Sequence, residues 1–386
     1  MNYFIITCLL IMLGFPKNVL ASSDPEGPFK YSVVLKGEAF EAEAKRLEVY
    51  KPLGDIEDYP NTPGFKNVWI GVPKVDALST DIMGLDLLIS NFDSTSFQLP
   101  WYDPKKSSYP AFIRQPEGEI TGACVLLHGA DNISDIDFRI ANELAKKGKI
   151  TIIPFLFCGS GKASVSGDQT AIPLEQSIVA AYRMLHFVKS HPDMAGKCVD
   201  LIGRSRGAMI ADLCARQFYQ QKVSPDLRFD RFVMIDGFVL RNEEEPKYTN
   251  KPMLFMHGRL DTWTPLPFVE RHVRILRDAE YPATLEIFDG FHAFLEDTSI
   301  ESKGVQTFKN CTFIDRGRVG FTPLVFNPDS NTLMESSDLL GWDKFSDFLM
   351  RNVVAEEKVL VGGGGEHTER GLKMLEDFLT TPLSAA

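Results

Sequence analysis

The 386-residue sequence lacks a hydrophobic run long enough to span a bilayer, because its longest apolar stretch, residues 3–13, falls short of the about 20 residues that a membrane helix needs. It also lacks a surplus of basic charge, with 41 Lys and Arg residues against 52 Asp and Glu residues and a formal net charge of -11. Nucleic-acid binding draws its affinity from Lys and Arg on phosphates, so we expect no nucleic-acid partner. Hydrophobic residues make up 44% of the chain, which is enough for a buried core.

The cysteine spacings of redox and zinc sites are absent as well. The six Cys residues include no C-x-x-C pair. Cys124 falls in an apolar stretch typical of a strand, and Cys214 falls on a helical pattern. We therefore expect inert buried thiols at both positions.

The N-terminal segment has the pattern of an export signal. The apolar run at residues 3–13 is interrupted by Gly14 and Pro16 and followed by small residues up to Ala21. This pattern predicts a leader at residues 1–21 that is cleaved after Ala21, a secreted or periplasmic protein, and no stable membrane insertion after cleavage. Because no Lys or Arg precedes the run, a buried or anchoring N-terminal segment remains the alternative.

From about residue 120 the chain alternates short apolar runs with stretches of helical periodicity. Strands are predicted at six places, which are residues 124–127, 150–155, 199–202, 232–235, 252–256 and 285–288. Amphipathic helices are predicted between them, and one of these patterns covers residues 206–220. Repeated strand–helix units predict an α/β fold, a doubly wound and mostly parallel sheet with helices on both faces.

The flanking regions are less regular, and they set the predicted domain organisation. After the leader, residues 22–118 are expected to form an N-terminal arm with edge strands, and residues 119–355 the catalytic domain. Residues 356–386 are predicted as a glycine-rich linker followed by a C-terminal helix. The glycine run at residues 362–365 is interpreted as flexible, because it has no Lys-Ser/Thr and opens no G-x-G-x-x-G motif of a phosphate loop.

The candidate nucleophile lies in the motif G-x-S-x-G at residues 203–207, directly after a predicted strand and before a predicted helix. In this context the tight turn presents the Ser205 hydroxyl at the carboxyl edge of the sheet. The helix that begins at Arg206 would point its backbone N–H at a developing oxyanion. The alternative is a plain strand–helix turn in which Ser205 only caps the helix.

An acid and a histidine follow in the order that a catalytic triad requires. Asp261 comes shortly after the end of a later strand, while Asp236, at the end of the preceding strand, is its rival for the acid. His292 lies in the loop after the last strand, whereas His272 and His367 are expected on the surface. The order serine, acid, histidine is the one found in α/β-hydrolases.

The loop after the first strand is expected to complete the oxyanion site through the backbone N–H of Ala130. His128 in the same loop is predicted to be structural, bonding loop carbonyls. Arg204 is a candidate for binding substrate, with a structural ion pair as the alternative. Trp263 is a candidate for lining the substrate pocket, with simple packing as the alternative.

Residues 120–295 resemble the serine-type members of the dienelactone hydrolase family of α/β-hydrolases. The resemblance is carried by the strings CVLLHGA, HPDMAGKCVDLIGRSRGAMIA, MLFMHGRLDTWTP and FDGFHAF. It implies acyl transfer through an acyl-enzyme on Ser205, a small-molecule ester or lactone as substrate, and no metal or organic cofactor. The family's namesake uses a cysteine where Ser205 stands here, which favours a broader ester or lactone specificity.

Two other classes of function remain open at this point. A serine peptidase of the prolyl-oligopeptidase type shares this catalytic domain, but it would need a large N-terminal propeller that residues 22–118 are too few to build. A non-catalytic binding protein on a hydrolase scaffold is disfavoured, because all three triad residue types occur in order.

Overall fold

The computed structural model describes most of the chain from residue 108 onward. The described residues are 65–71, 108–116, 118–157, 164–169, 172, 174–189, 194–224, 226–239, 241–243, 245–307, 311–315, 321–327, 329–330, 332–336 and 354–383. The predicted leader and much of the predicted N-terminal arm lie outside this set. Within it, no helix combines the length and the apolar character needed to cross a membrane.

Eight strands form the main sheet. They are β1 (Phe65–Gly71), β2 (Ser108–Arg114), β3 (Gly122–Leu127), β4 (Lys149–Pro154), β5 (Cys198–Arg204), β6 (Phe232–Ile235), β8 (Met253–Gly258) and β9 (Ala283–Phe288). Their spatial order is β1-β2-β4-β3-β5-β6-β8-β9. The strands from β4 to β9 in this order are parallel, and β1 and β2 add an antiparallel edge.

Six further strands lie outside the main sheet. They are β7 (Arg241–Glu243), β10 (Glu301–Thr307), β11 (Cys311–Asp315), β12 (Phe321–Asn327), β13 (Thr332–Glu335) and β14 (Val354–Val361). Strands β10 and β14 form an antiparallel two-stranded ribbon, and β13-β12-β11-β7 form a second sheet. The sequence patterns did not predict these strands.

Helices cover both faces of the main sheet. They are α1 (Asp135–Lys146), α2 (Leu174–Lys189), α3 (Arg206–Ala215), α4 (Gln217–Val223), α5 (Leu266–Asp278) and α6 (Glu366–Thr380). Buried residues of α1 and α6 belong to the core on one face, and those of α2, α3 and α5 belong to the core on the other. The predicted doubly wound α/β architecture is confirmed.

Strand β3 shows how the sequence builds both cores. Ala123, Val125 and Leu127 belong to the core under α2 and α3, while Cys124 and Leu126 belong to the core under α1 and α6. Successive side chains of a strand point to opposite faces, so a central parallel strand must be apolar at every position. This explains why the motif-bearing strands read as continuous apolar runs.

The helix predicted at residues 206–220 is broken at Arg216. This residue is extended, with φ of -77° and ψ of 135°, and it forms an antiparallel bridge with Tyr248. The backbone N–H of Gln217 donates to the Lys247 carbonyl at 2.9 Å. A helical pattern in one segment could not reveal this pairing, because the partner lies about thirty residues later.

The predicted domain boundary at residue 355 falls inside β14, whose pairing with β10 joins the segments on either side. Helix α6 buries Leu372, Leu375 and Leu379 in the same core as α1. The C-terminal helix therefore packs as part of the domain that contains the main sheet, on the face that α1 also covers.

The glycine run that was interpreted as a flexible linker is a packed turn. Gly362 donates its N–H to the His292 carbonyl at 2.9 Å, and Gly363 donates to the Thr298 carbonyl at 3.0 Å. Glycine is required here because the backbone is left-handed at Gly362 and Gly363 and because neighbouring chain atoms approach closely. The run therefore has the composition of a linker but forms a close-packed turn.

His272, expected on the surface, is buried on α5. Its Nε2 lies 3.1 Å from Asp212 Oδ1 and 3.2 Å from the Tyr248 hydroxyl. The buried Arg216 guanidinium lies 2.9 Å from the other Asp212 oxygen, so the four side chains form a polar cluster within the core. His367 is half-buried at the start of α6.

Three cysteines whose side chains the structure describes are free thiols. Cys124, Cys198 and Cys214 form no disulfide, and Cys124 and Cys214 are buried as predicted. Burial raises the pKa of the Cys124 thiol to about 12, which keeps it protonated and unreactive.

We predict that Leu375→Ala lowers the free energy of unfolding by about 2–5 kcal/mol, because it removes a buried side chain from the shared core. Lys373→Ala, on the exposed face of the same helix, should change it by less than about 1 kcal/mol. Chemical denaturation followed by tryptophan fluorescence measures both. An unchanged main transition in Leu375→Ala would mean that α6 is an independent appendage.

Candidate active site

The serine turn connects β5 to α3 and forces Ser205 into a left-handed conformation with φ of 50°. The turn is so tight that a Cβ at Gly203 would lie 2.1 Å from the Gly207 carbonyl oxygen. A Cβ at Gly207 would lie 2.2 Å from the Leu127 carbonyl oxygen. Only glycine fits at both positions, which is the physical reason for the G-x-S-x-G spacing.

Three side chains from three strand ends form one hydrogen-bonded chain. Ser205 Oγ lies 2.9 Å from His292 Nε2, and His292 Nδ1 lies 2.7 Å from Asp261 Oδ2. With Nδ1 protonated, the imidazole donates to the carboxylate and its Nε2 accepts from the serine hydroxyl. The structure thus brings together the three residues that the sequence motifs singled out.

The Asp261 carboxylate is held from several sides. Its Oδ1 accepts the backbone N–H groups of Trp263 and Thr264, each at 2.8 Å, and its Oδ2 accepts the Thr264 hydroxyl at 2.5 Å. Burial disfavours the charged form, but His292 outweighs burial and holds the pKa of Asp261 below its ordinary value. The carboxylate is therefore ionised and fixed in direction. Thr264 falls within the string MLFMHGRLDTWTP, but the sequence pattern predicted no role for it.

The charge of Asp261 acts in turn on the imidazole. His292 is buried, and burial alone would disfavour its cation. The adjacent Asp261 carboxylate overcomes this penalty and raises the pKa of His292 above the ordinary value of 6.5. The neutral imidazole is therefore a stronger base than that of an unperturbed histidine.

Asp236, the rival acid, makes different contacts. Its Oδ1 accepts the Gly258 N–H at 3.2 Å and its Oδ2 accepts the Ala293 N–H at 2.9 Å. The carboxyl group therefore joins the loop before Asp261 to the loop of His292. Burial raises the pKa of Asp236 above its usual range. A contact that joins two loops could not be predicted from the sequence of either loop alone.

The loop after β3 lies against the serine. A Cβ at Gly129 would lie 3.4 Å from the Ser205 Cβ. His128 donates from Nδ1 to the Gly129 carbonyl at 2.8 Å and accepts the Leu156 N–H at Nε2, at 3.0 Å. Burial lowers the pKa of His128 to about 4, so it stays neutral in this structural role. The Ala130 carbonyl accepts the Val165 N–H at 2.8 Å, which fixes the loop next to the serine turn.

A pocket opens beside Ser205, with an empty volume of about 320 Å³ that includes its mouth. Its lining combines apolar side chains with polar ones that carry amide, hydroxyl or guanidinium groups. The lining residues are Gln169, Ser205, Arg206, Met209, Phe238, Trp263, Thr264, Gln306 and Thr307. The Trp263 indole N–H donates to the Gln306 carbonyl at 3.2 Å, and its ring centroid lies 4.6 Å from that of His292. Strand β10 therefore closes one side of the pocket, which no motif had indicated.

The Arg206 side chain forms part of the same wall. Its guanidinium donates to the Gln169 carbonyl at 2.9 Å and to the Ile172 carbonyl. These contacts tie the start of α3 to the loop that precedes α2. The backbone N–H of Arg206 lies in the first turn of α3, directly after Ser205.

Arg204, a candidate for binding substrate, does not line the pocket. It is buried and makes a two-point ion pair with Asp137, with Nε to Oδ1 at 2.6 Å and Nη2 to Oδ2 at 2.8 Å. It also donates to Glu296 at 2.9 Å and to the Ser134 hydroxyl at 2.7 Å. Burial opposes the cation, but Asp137 and Glu296 raise the pKa of Arg204 still further. Because its donors are directed at these groups, the substrate-binding interpretation is wrong and the ion-pair alternative is correct.

Asp236, His257 and Asp261 bring their ligand atoms within 4.8 Å of one another, a spacing that a metal ion could use. Their hydrogen bonds argue against that use. His257 Nε2 donates to the Thr264 carbonyl at 2.5 Å, so this nitrogen offers no lone pair. Asp261 is engaged by His292, and Asp236 by two backbone N–H groups. The cluster is a support for the acid loop.

Comparisons with known proteins fit this geometry. Residues 166–298, less than half of the chain, match the family model described as serine hydrolase (FSH1), and the matched stretch contains Ser205, Asp261 and His292. No curated protein sequence matches the chain. The strand order of the main sheet, the tight turn at Ser205 and the family match all point to the same fold. The fold is that of an α/β-hydrolase. Together with the site, the match supports a serine hydrolase.

Solved structures include similar chains of low identity. A protein from Klebsiella pneumoniae described as a dienelactone hydrolase is 18% identical, and the likeness covers 49% of this chain and 83% of that one at a TM-score of 0.40. A thermophilic esterase from the Planctomycetes species Thermogutta terrifontis is 14% identical, with 48% and 79% covered and a TM-score of 0.37.

We predict that Arg204→Met lowers the free energy of unfolding by about 3–5 kcal/mol, because it leaves the buried Asp137 carboxylate without its cation. Arg259→Met, which removes an exposed ion pair with Asp289, should cost less than about 1 kcal/mol. Urea denaturation measures both. If Arg204→Met kept full stability and only raised KM, the residue would be a substrate ligand after all.

Proposed function

We propose that this α/β-hydrolase cleaves carboxylic esters or lactones of small molecules through an acyl-enzyme on Ser205. The observation that carries the proposal is the continuous chain of hydrogen bonds from Ser205 through His292 to Asp261, with links of 2.9 and 2.7 Å, at the edge of a pocket. Such a chain activates a hydroxyl that is otherwise a weak nucleophile.

Acylation begins when His292 Nε2 takes the Ser205 proton and Oγ attacks the ester carbonyl carbon. The Asp261 carboxylate stabilises the imidazolium that forms. The tetrahedral intermediate then collapses, the C–O bond to the leaving alcohol breaks, and His292 Nε2 gives the proton to the alkoxide. In deacylation His292 activates a water molecule in the same way, and the acid product leaves as Ser205 regains its proton.

The oxyanion site assigned to this mechanism uses backbone N–H groups of Arg206 and Ala130. The first turn of α3 places the Arg206 N–H next to Ser205, at the positive end of the helix dipole. The loop of Ala130 is held against the serine turn by the contacts of His128 and Val165. Donors fixed in this way need little reorganisation when the oxyanion forms.

The pocket favours a short acyl group. Its empty volume of about 320 Å³ includes open space at the mouth, so the enclosed part that would hold the acyl group is smaller. The apolar side chains of Met209, Phe238 and Trp263 suit a small hydrocarbon portion, while Gln306 and Thr307 close the far side. The likeness to the dienelactone hydrolase family is compatible with a lactone as well as an open-chain ester.

We predict that Ser205→Ala retains the fold and loses hydrolysis of p-nitrophenyl acetate and butyrate by on the order of 10⁴-fold or more, because the nucleophile is gone. Wild-type protein should be labelled covalently by a fluorophosphonate, and mass spectrometry should locate the adduct on Ser205.

The control for this experiment is Ser302→Ala, which changes an exposed serine on β10 and should leave rate and labelling unchanged. Retained labelling or hydrolysis in Ser205→Ala would assign the nucleophile to another residue. A wild-type protein that neither hydrolyses nor reacts would support a non-catalytic binding protein, and preference for aminoacyl amides would support the peptidase.

We predict that kcat/KM for a neutral ester rises with pH along one ionisation whose midpoint lies above 6.5. The base works as neutral imidazole, so activity is absent below the pKa of His292 and present above it, and Asp261 raises that pKa. His128 titrates near 4 and cannot produce this limb. A stopped-flow pH profile measures this ionisation. In a separate experiment, Asp261→Asn should lower the rate by about 10⁴-fold. A flat profile between pH 5 and 8 would contradict the assignment of His292.

A further inference from the structure

The loop that carries His292 is held by a segment of chain that follows it by about seventy residues and lies outside the stretch matched by the family model. Gly362, directly after β14, donates its N–H to the carbonyl oxygen of His292 itself, at 2.9 Å. The preceding residue, Val361, forms a parallel bridge with His292. The peptide of the candidate base is therefore fixed by the C-terminal part of the chain.

Four more contacts extend this attachment along the loop. Gly363 donates its N–H to the Thr298 carbonyl at 3.0 Å, and Gly364 donates to the Glu296 carbonyl at 2.8 Å. The hydroxyl of Thr368, in the first turn of α6, lies 3.0 Å from the Leu295 carbonyl and 2.8 Å from Asp297 Oδ1. Gly362, Gly363, Gly364 and Thr368 are named the C-terminal clasp.

The clasp works only with glycine at its first positions. Gly362 and Gly363 have φ of 88° and 86°, where a side chain is strained. A Cβ at Gly362 would lie 2.4 Å from the Thr298 hydroxyl, and one at Gly364 would lie 2.7 Å from the Glu296 carbonyl oxygen. Any larger residue must push the loop of His292 away from β14.

Two other contacts hold the same loop from the side of the sheet. Asp236 accepts the N–H of Ala293, and Arg204, the neighbour of Ser205, donates to the Glu296 side chain at 2.9 Å. Ala293 has a strained φ of 60°. The loop is therefore held between the strand ends and the clasp, and loosening either attachment leaves His292 free to move away from Ser205.

We propose that the C-terminal clasp is a positioning device for His292, which keeps the imidazole within hydrogen-bond distance of both Ser205 and Asp261. This role rests on the proposed function. The clasp touches neither the pocket nor the reacting atoms, and it acts through the backbone of the loop. A displacement of about 1 Å in such a group costs on the order of 100-fold in rate.

The first test compares Thr368→Val, which removes the hydroxyl at nearly constant volume, with Thr368→Ser, which retains it. Thr368→Val should lower kcat for p-nitrophenyl butyrate roughly 10- to 100-fold with KM within about threefold of wild type, and Thr368→Ser should restore most of the rate. Gly362→Ala should give an equal or larger loss. Gly304→Ala in the neighbouring strand β10 is the matched control, because its added Cβ meets open space, and it should retain the wild-type rate.

The second test does not depend on turnover. In protein labelled with ¹⁵N-histidine, an NMR titration should give a pKa of His292 above 6.5 for wild type and Gly304→Ala. It should fall toward 6.5 in Thr368→Val and Gly362→Ala, because the imidazole moves away from the Asp261 carboxylate. If wild-type protein neither hydrolyses esters nor reacts with a fluorophosphonate, the proposed function fails, and the titration still decides the role of the clasp.

Folded Thr368→Val and Gly362→Ala with wild-type kcat and wild-type pKa of His292 would overturn the proposal. So would an equal loss of rate in Gly304→Ala, which would show a general effect of the β10–β14 ribbon. If Gly362→Ala does not fold, the threonine pair decides the matter. Loss in Thr368→Val with recovery in Thr368→Ser supports the clasp, and loss in both variants overturns it.

Discussion

The buried ion pair of Arg204 with Asp137 is the interaction on which the site depends most. It places a guanidinium directly before Ser205 and fixes it to the first turn of α1, while a third donor reaches Glu296 in the loop of His292. A buried pair of this kind contributes little net stability compared with apolar packing, but removing one partner is costly. Its value here is geometric, because one side chain sets the distance between the serine turn and the histidine loop.

Around this ion pair the site stores backbone strain in three places. Ser205, Asp236 and Ala293 have φ of 50°, 52° and 60°, and each lies at or next to a residue of the candidate machinery. A non-glycine residue in this region is unfavourable, and it persists only where surrounding contacts over-determine it. The Asp236 carboxyl group supplies such contacts by accepting N–H groups from Gly258 and Ala293.

The sequence allowed prediction of the strand-end positions of Ser205, Asp261 and His292, because apolar runs, glycine spacing and chain order are local signals. It did not allow prediction of the partner of Arg204, since Asp137 lies 67 residues earlier in the chain. A four-glycine run has the same composition whether it is a linker or a close-packed turn. The two cases differ in which atoms lie close to the glycines. This is known only once the position of the loop of His292, about seventy residues earlier, is known.

Helix α6 links the stability of the domain to the geometry of the site. Near its end, the carbonyls of Leu379 and Thr381 accept hydrogen bonds from Arg231, at the amino end of β6, while Thr368 at its start contacts the histidine loop. The helix therefore runs from the carboxyl ends of the strands to their amino ends, and it is held by hydrogen bonds at both of its own ends. If the apolar face of α6 shifted over the sheet, the contacts of Thr368 and Gly362 with the histidine loop would shift the peptide of His292 as well. Packing on this face thus stabilises the position of the imidazole as well as the fold.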